Sequence, residues 1–313
     1  MPSRKGGAPL ERPSRPDMSY RAFQDIGDCV LYVERRLHAA QVEFGHGTDN
    51  ARDEAAWLVA GAMKIAPGAL MGKLSEKPKP AVIARIRALL AKRIRTRMPL
   101  AYLLREAWFA GRPFYVDPRA IVPRSLIGEF LLPDGPSPLA DPGIRSILDL
   151  CTGSGAIAIS AAKAFPRAEV DAIDISEDAL KVAFRNIRRH RLDHRVRLIP
   201  SNLFSAIPNR RYDLILSNPP YVSLEDMADL PLEYRREPKL ALEAGPDGLD
   251  LILPILYQAR KHLLPQGRLA LEVGASREAL ERRFPNLAFL WLASEADECV
   301  GYWHRSDLKP FRP

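Results

Sequence analysis

The sequence predicts an α/β protein whose main domain is a doubly wound, mostly parallel sheet with an antiparallel edge. From Ile144 onward, short apolar strands alternate with helical segments, which is typical of a parallel sheet covered by helices. Two late apolar segments, near 287–292 and 298–303, favour an antiparallel pair at the edge of that sheet. Before Met98 the apolar residues recur at helical spacing, so a separate helical domain is expected.

These patterns divide the chain into four parts. Residues 1–18 are rich in Pro, Arg and Ser and predict a disordered basic tail, with a mitochondrial transit peptide as the alternative. Residues 19–98 form a small helical domain, which we expect to recognise the substrate. Residues 99–122 hold short aromatic and β-branched runs separated by Gly and Pro, which predict a β-hairpin linker. Residues 123–313 form the α/β domain.

Three helices are expected in the helical domain. Ser19 is a candidate N-cap for the first, whose apolar residues recur from Phe23 onward. The second begins near Thr48 and ends before a Pro-Gly pair. The third, over 80–97, has one apolar face. Its opposite face carries Arg85, Arg87, Lys92, Arg93 and Arg95.

The α/β domain contains five recognisable strand sequences: ILDL, EVDAID, VRLIP, YDLILS and RLALEVG. Each is short, rich in aliphatic residues and bounded by loop or helix signals, as buried parallel strands are. A long helix is expected over 249–264, between the last two of these strands.

Composition excludes several classes of protein. At 313 residues and 47% hydrophobic content, the chain can build one large core and a smaller one. It has no run of about eighteen apolar residues and no apolar signal region, so we expect a cytoplasmic protein. The three cysteines form no CxxC pair and indicate neither disulfides nor a zinc site. His190 and His194 are spaced i,i+4, but a solvated basic helix end explains them better than a metal site.

Positive charge is concentrated in the first third of the chain. Residues 1–110 contain 19 Lys and Arg against 11 Asp and Glu, whereas residues 111–313 contain 27 of each kind. The formal excess of +8 therefore lies entirely before residue 111. Such asymmetry favours contact with an anionic partner such as RNA, although a basic tail and a solvated helix face explain it equally well.

A glycine-containing loop follows the first strand of the α/β domain. In DLCTGSGAIAIS, Gly153 and Gly155 allow a tight turn and close approach of the backbone to a ligand. About twenty residues later, Asp174 ends the next strand, where a carboxylate accepts hydrogen bonds from ribose hydroxyls. Strand alternation favours Asp174 over Asp171. Loop and acid together predict an adenosine-containing ligand, and Cys151 is expected to pack under it rather than to react.

The segment NPPY directly follows a buried strand. Pro219 and Pro220 lack N–H donors, so the acceptors that remain are the Asn218 side-chain oxygen and the Pro219 carbonyl, with the Tyr221 ring beside them. Two acceptors and an aromatic face suit a planar –NH2 group. The alternative is a simple strand-ending turn. Because parallel strands end at one edge of the sheet, NPPY, the glycine loop and Asp174 should share one crevice.

These segments resemble those of the HemK/PrmC family of protein-glutamine methyltransferases, and most closely its PrmB branch. The resemblance covers nearly the whole chain after the tail, and it includes FAGRPFYVDPRAIVPRSLIGE, DLCTGSGAIAI and LEDMADLPLEYRREPKLALEAGPDGLD. It implies a Rossmann-like class I methyltransferase that uses S-adenosylmethionine and no metal. The expected substrate is a glutamine of the third large-subunit ribosomal protein, and nearby ribosomal RNA is a second expected partner.

The resemblance also implies the site residues. Those expected to line the S-adenosylmethionine site are Cys151, Thr152, Gly153, Ser154, Gly155, Asp174, Asn202, Leu203 and Asn218. The expected catalytic residues, which also hold the glutamine, are Asn218, Pro219, Pro220 and Tyr221. Arg124 and Glu129 would close the pocket, or form surface ion pairs. Asn202 stands where the family usually has Asp; its amide oxygen still accepts a hydrogen bond from the adenine amino group.

Three other functions remain open at the level of sequence. One is methylation of a glutamine in a release factor. Another is methylation of an exocyclic amine in nucleic acid, because a flipped base also presents a planar –NH2 group. The third is a ribosome-associated binding protein that keeps the fold without catalysis. The oligomeric state is not predicted.

Overall fold

The computed structural model describes residues 23–132, 138–293 and 299–311. Four helices follow the first described residues: α1 (Ile26–Ala39), α2 (Ala51–Met63), α3 (Pro80–Thr96) and α4 (Leu100–Leu104). They enclose a core of their own, in which Leu37, Leu58 and Ile86 are fully buried. This confirms the separate helical domain. The basic tail and Ser19 lie outside the described residues.

The helix boundaries follow local capping chemistry. Asp25 caps α1, because its carboxylate accepts the N–H of Asp28. Asn50 caps α2 in the same way. Helix α3 begins with Pro80, whose fixed φ suits the first helical position, and Arg97 ends it in the left-handed conformation. The expected positions of α2 and α3 are therefore confirmed, while the predicted start of α1 was too early.

The predicted basic face of α3 is only partly correct. Arg85, Arg87, Lys92 and Arg95 are exposed. Arg93 is instead fully buried, and its guanidinium donates to Glu54 (2.8 Å) and Glu233 (3.1 Å). Helical periodicity predicted Arg93 to be exposed with the other cations. The segment around Glu233, which buries it, lies far along the chain and leaves no trace in the local pattern.

The linker is a helix followed by a hairpin, and not a hairpin alone. Leu100, Ala101 and Tyr102 lie in α4 and pack into the core of the helical domain. The hairpin itself is short, with β1 (Ala107–Phe109) antiparallel to β2 (Arg112–Phe114). Tertiary packing of apolar side chains overrides the strand-like composition of this stretch.

The seven-stranded sheet confirms the predicted fold class. Its strands are β3 (Ser146–Leu150), β4 (Glu169–Asp174), β5 (Val196–Pro200), β6 (Tyr212–Ser217), β7 (Leu263–Glu272), β8 (Trp291–Leu292) and β9 (Val300–His304). Their order is β5-β4-β3-β6-β7-β9-β8. The first five are parallel, and β9 and β8 form the antiparallel edge.

The helices of this domain are α5 (Ala156–Ala164), α6 (Glu177–Arg189), α7 (Leu224–Asp229), α8 (Ile252–Ala259) and α9 (Arg277–Arg283). The helix expected over 249–264 was too long, because β7 already begins at Leu263, which pairs with Tyr212. Of the two late strands, the one expected near 287–292 contains only two residues, Trp291 and Leu292. The other was expected over 298–303, and its first residue, Glu298, lies outside the described residues.

No single described helix is long and apolar enough to cross a membrane. Helix α2 and the segment 67–73 reach the length and apolar content of a membrane span only when they are taken together, and the chain bends by 91° between them.

Sheet register places the predicted site at one edge. Leu150 at the end of β3 pairs with Ile173 on one side and with Ser217 on the other. The residues that follow these strands therefore meet above the carboxyl ends of the sheet, where open α/β sheets bind ligands.

Candidate active site

A cavity of about 440 Å³ opens at this edge. A volume of this size falls in the range of small-molecule sites, which is roughly 300–1,000 Å³. Most of the residues predicted from the sequence line it. They are Arg124, Cys151, Thr152, Gly153, Ser154, Asp174, Asn202, Leu203, Asn218, Pro219, Pro220 and Tyr221. The glycine loop, the acid that ends β4 and NPPY thus share one cavity.

Gly155 and Glu129 do not belong to this lining. Gly155 has φ +79° and precedes α5, and a Cβ there would lie 3.1 Å from the Cβ of Ala183 in α6. Its role is therefore close packing of the loop against α6. Glu129 lies in a short 3₁₀ segment, where it is half-buried.

The loop after β3 is held by a buried acid that was not predicted. The Asp149 carboxylate accepts from the Thr152 hydroxyl (2.5 Å) and from the N–H of Ala158 (3.0 Å). Burial raises the pKa of Asp149 to about 7. Gly153 turns the loop with φ +55°. Asp149 is the first residue of the motif DLCTGSGAIAIS, but only the fold shows that its carboxylate holds the loop in place.

Asp174 faces the cavity and is the better candidate for a ribose ligand. One of its oxygens accepts from the N–H of Gly153 and the other from the N–H of Ser176, both at 2.8 Å. Each carboxylate oxygen keeps a second lone pair for a ligand hydroxyl. Asp171 binds Arg197, Arg210 and the Tyr212 hydroxyl instead, away from this cavity.

Cys151 lines the cavity in an environment that disfavours its thiolate form. Burial, together with the charges of Asp174 and Asp149, raises the pKa of its thiol. A thiol that stays protonated is a poor nucleophile, so the prediction from sequence agrees with the environment.

NPPY is held by hydrogen bonds at both of its ends, to the sheet before Asn218 and to the returning loop after Tyr221. The Ser217 hydroxyl donates to the Leu150 carbonyl (3.0 Å) just before Asn218. After Tyr221, Val222 pairs with the strand-like stretch that returns at Leu242, its N–H donating to that carbonyl at 2.8 Å. Within the described part of the chain, the Asn218 carboxamide has no hydrogen-bond partner of its own. Its acceptor oxygen is thus available to a ligand.

The Tyr221 ring occupies a closely fitted space. A Cβ at Gly274 would overlap the ring, and a Cβ at Gly248 would overlap the Tyr221 carbonyl. The Ser276 hydroxyl donates to the same carbonyl at 2.8 Å. Burial, followed by the charge of Glu272, raises the pKa of Tyr221. Its hydroxyl therefore stays neutral, which suits a ring that stacks on a neutral amide.

Comparison with known proteins decides the family. The PrmC N-terminal domain model matches residues 33–104, and the methyltransferase small domain model matches residues 136–231. The ribosomal protein uL3 glutamine methyltransferase of Bordetella pertussis is 47% identical over 282 residues, which is 89% of this chain and 94% of that protein. Its counterpart from Burkholderia pseudomallei is 44% identical over 296 residues, covering 91% and 96%.

The chain belongs to the ribosomal protein uL3 glutamine methyltransferases. This confirms the family resemblance drawn from the sequence. Among solved structures, a methyltransferase from Pyrococcus furiosus is 20% identical, with 61% of this chain and 88% of that chain covered at a TM-score of 0.43.

A buried ion pair joins the methyltransferase cavity to the helical domain. Arg124 donates through both terminal nitrogens to the Glu237 carboxylate, at 2.7 Å each. Glu237 also accepts from the N–H of Val122 (2.9 Å), and His46 Nε2 lies 3.4 Å away. Burial alone would raise the pKa of Glu237, but Arg124 and His46 lower it to about 2. Arg124 thus lines the cavity and forms a buried ion pair in its wall, rather than a pair on the surface.

Glu237 and Glu233 were missed as functional residues. Both lie in the stretch after NPPY, whose sequence indicated only a resemblance to the family. Glu233 accepts from Arg93 and from Arg97 (3.2 Å), both of the helical domain. The Tyr234 ring lies 4.3 Å from that of His46. This stretch therefore forms the cavity wall and is anchored on the helical domain.

Glu272, at the end of β7, is a further buried acid beside the cavity. Its carboxylate accepts from the Ser125 hydroxyl (2.5 Å) and the N–H of Leu126 (2.9 Å). Burial raises the pKa of Glu272 to about 6. Glu272 lies in the predicted strand RLALEVG. Its partners, Ser125 and Leu126, are distant in sequence, so its burial and hydrogen bonding could not be predicted.

No group of three or more His, Cys, Asp and Glu side chains suited to a metal ion occurs among residues 23–132, 138–293 and 299–311. His190 is half-buried, with Nε2 3.0 Å from the Pro113 carbonyl.

Proposed function

We propose that this chain transfers a methyl group from S-adenosylmethionine to the side-chain amide nitrogen of a glutamine in ribosomal protein uL3. The observation that carries the proposal is the Asn218 carboxamide, which has no hydrogen-bond partner among the described residues and lines the same cavity as Asp174. The family supports the substrate, because curated relatives of nearly full length are named for uL3 glutamine methylation.

The cavity residues fit S-adenosylmethionine. Asp174 would accept hydrogen bonds from the ribose hydroxyls, since both of its oxygens retain acceptor capacity. Asn202 is exposed at the rim and Leu203 is buried beside it. We assign them to the adenine, with the Asn202 oxygen accepting from the amino group. When bound, the cofactor supplies an electrophilic methyl group on its sulfonium.

The residues of NPPY address the difficulty of the reaction, which is the low nucleophilicity of an amide nitrogen. The Asn218 side-chain oxygen and the Pro219 carbonyl would each accept one hydrogen of the substrate –NH2 group. Holding both hydrogens favours sp³ character at nitrogen as its lone pair becomes available for attack. Fixing the nitrogen in line also supplies the proximity contribution to the rate. The proton leaves to water after transfer, so the site needs no strong base.

The cavity wall would keep this geometry rigid. Pro219 and Pro220 restrict the backbone, and Tyr221 is enclosed by glycines on two sides. The Arg124–Glu237 pair fixes the facing wall. Pre-organised acceptors cost little reorganisation when the amide binds.

The test is the Asn218→Ala variant of the full chain with labelled S-adenosylmethionine and isolated uL3. We expect the rate of methyl transfer to fall by about a hundredfold or more, as for loss of one stabilising polar group in other enzymes. Affinity for S-adenosylhomocysteine should change little. Asn209→Ala, at an exposed asparagine in the loop before β6, is the matched control and should keep the wild-type rate. An unchanged rate in Asn218→Ala would remove Asn218 from the mechanism.

The substrate is tested by supplying uL3, a release factor and protein-free ribosomal RNA in parallel. Label in uL3 alone, located on glutamine by mass spectrometry, is the expected result. Preferential label in RNA would favour methylation of an exocyclic amine. Preferential label in the release factor would favour glutamine methylation of that protein instead of uL3.

A further inference from the structure

The outer face of α6 is strongly cationic. Helical spacing brings four cations to this exposed face, while residues such as Leu180 and Ile187 are buried on the other. The cations are Lys181, Arg185, Arg188 and Arg189. Phe184, 54% exposed, lies among them. The sequence placed the excess charge before residue 111, so this surface was not predicted.

Beside this face lies a second cleft of about 540 Å³, lined by Arg105, Tyr115, Arg185 and Arg189. The Arg185 guanidinium lies 3.6 Å from the centre of the Tyr115 ring. Arg105 donates to the Tyr115 hydroxyl at 3.0 Å. Two guanidinium groups thus contact the Tyr115 side chain, and that of Arg189 lines the same cleft. Arginine is well suited to phosphate, because its planar group forms two parallel hydrogen bonds.

Local carboxylates neutralise only part of this charge. Asp178 pairs with Lys181 at 2.8 Å and Glu106 with Arg189 at 3.0 Å, and Asp117 pairs with Arg119 at 2.7 Å and with Arg105 at 3.5 Å. Arg185 and Arg188 have no carboxylate partner in the described part of the chain. Their contacts are with aromatic rings, namely Tyr115 and Phe184. The surface therefore keeps unneutralised guanidinium groups beside aromatic faces.

The cleft is connected rigidly to the methyl-transfer cavity. Asn186, buried on the inner side of α6, donates to the Ser154 carbonyl and to the Tyr115 carbonyl, both at 2.9 Å. Its side-chain oxygen accepts from the Tyr115 N–H at 2.7 Å. Ser154 belongs to the cofactor loop, so the cleft and that loop share one support. A ligand on α6 would be held at a fixed position relative to the cavity.

We propose that the arginine-lined cleft and the outer face of α6 bind the sugar-phosphate backbone of RNA, with unpaired bases against Phe184. From Lys181 to Arg189 the helix rises about 12 Å, which is enough to face several successive phosphates. Cations interleaved with aromatic side chains are the arrangement used for single-stranded nucleic acid. This surface goes beyond the proposed methyl transfer, since RNA binding needs neither uL3 nor a methyl donor.

The experiment measures binding of the full chain to a fluorescent RNA hairpin with an unpaired loop, by anisotropy, between about 0.05 and 0.2 M salt. The variant Arg185→Gln/Arg188→Gln/Arg189→Gln should bind at least about tenfold more weakly. The slope of log affinity against log salt should fall by about 2, since each phosphate contact contributes about 0.7. The matched control, Arg87→Gln/Lys92→Gln/Arg95→Gln on α3, should stay within about twofold of wild type.

Arg188→Glu serves as a second variant. Arg188 forms no ion pair within the described residues, so its reversal should preserve folding while still weakening RNA binding. Circular dichroism and affinity for S-adenosylhomocysteine report folding, and they separate this test from that of methyl transfer. The proposal is overturned if wild type does not bind the hairpin, if the α3 variant loses as much affinity as the α6 variant, or if Arg188→Glu binds like wild type. Equal competition by polyglutamate or anionic lipid vesicles would also overturn it, because any polyanion would then suffice.

Discussion

Replacing Glu237 by Gln should destabilise the enzyme more than any other single neutralisation in the stretch after NPPY. The substitution keeps the size of the side chain but leaves Arg124 without its bidentate partner. The pKa of Glu237 is lowered from 4.5 to about 2. At about 1.4 kcal/mol per pKa unit, the ionised carboxylate contributes about 3 kcal/mol to folding. Loss of one partner of a buried pair costs about 3–5 kcal/mol in other proteins.

The lowered pKa of Glu237 also determines the direction in which its contribution to stability changes with pH. Because the pKa of Glu237 is lower in the folded state, its contribution is complete above about pH 4.5 and is lost as the pH falls towards 2. The difference in unfolding free energy between wild type and Glu237→Gln should therefore be constant between about pH 6 and 8. Below about pH 4.5 it should shrink.

Urea unfolding of the full chain at about pH 7 measures this difference. Glu243→Gln is the matched control, since Glu243 pairs at 2.7 Å with Lys239, whose side chain is 71% exposed. An exposed pair contributes less than about 1 kcal/mol. If Glu237→Gln and Glu243→Gln unfold at the same urea concentration, the ion pair does not stabilise the cavity wall and the reasoning fails.

Three further predictions concern the cavity. Asp174→Asn should lower affinity for S-adenosylhomocysteine by about ten- to a hundredfold in calorimetry, because hydrogen bonds to a charged acceptor contribute about 1.5–3 kcal/mol. Gly274→Ala should displace the Tyr221 ring and lower kcat/KM by about tenfold or more, whereas Gly68→Ala, with open space around it, should not. The pKa of Glu272 is raised to about 6, so its contribution to stability is present below about pH 4.5 and lost above 6. Wild type should lose about 2 kcal/mol relative to Glu272→Gln between pH 4.5 and 7 in urea unfolding, and parallel curves would contradict this.

The sequence by itself determined the fold class and the chemistry of the cavity. The glycine loop and NPPY follow a strand and Asp174 ends one, and the alternation of apolar strands with helices identified those strands as parallel. Parallel strands end at one edge, so topology alone brings these residues together without knowledge of any distant contact. The same local signals located α2 and α3, because capping and breaking residues act within a few positions.

Only the tertiary structure decided which charged groups are buried and what they bind. Arg93 has the same helical periodicity as the exposed cations of α3, yet it binds Glu233, 140 residues away. Arg124 meets Glu237 across 113 residues. Arg185 and Arg188, which have no carboxylate partner among the described residues, lie on α6, in the part of the chain whose formal charges sum to zero. A sequence shows which residues carry charge, but pairing and desolvation depend on which distant segment covers them.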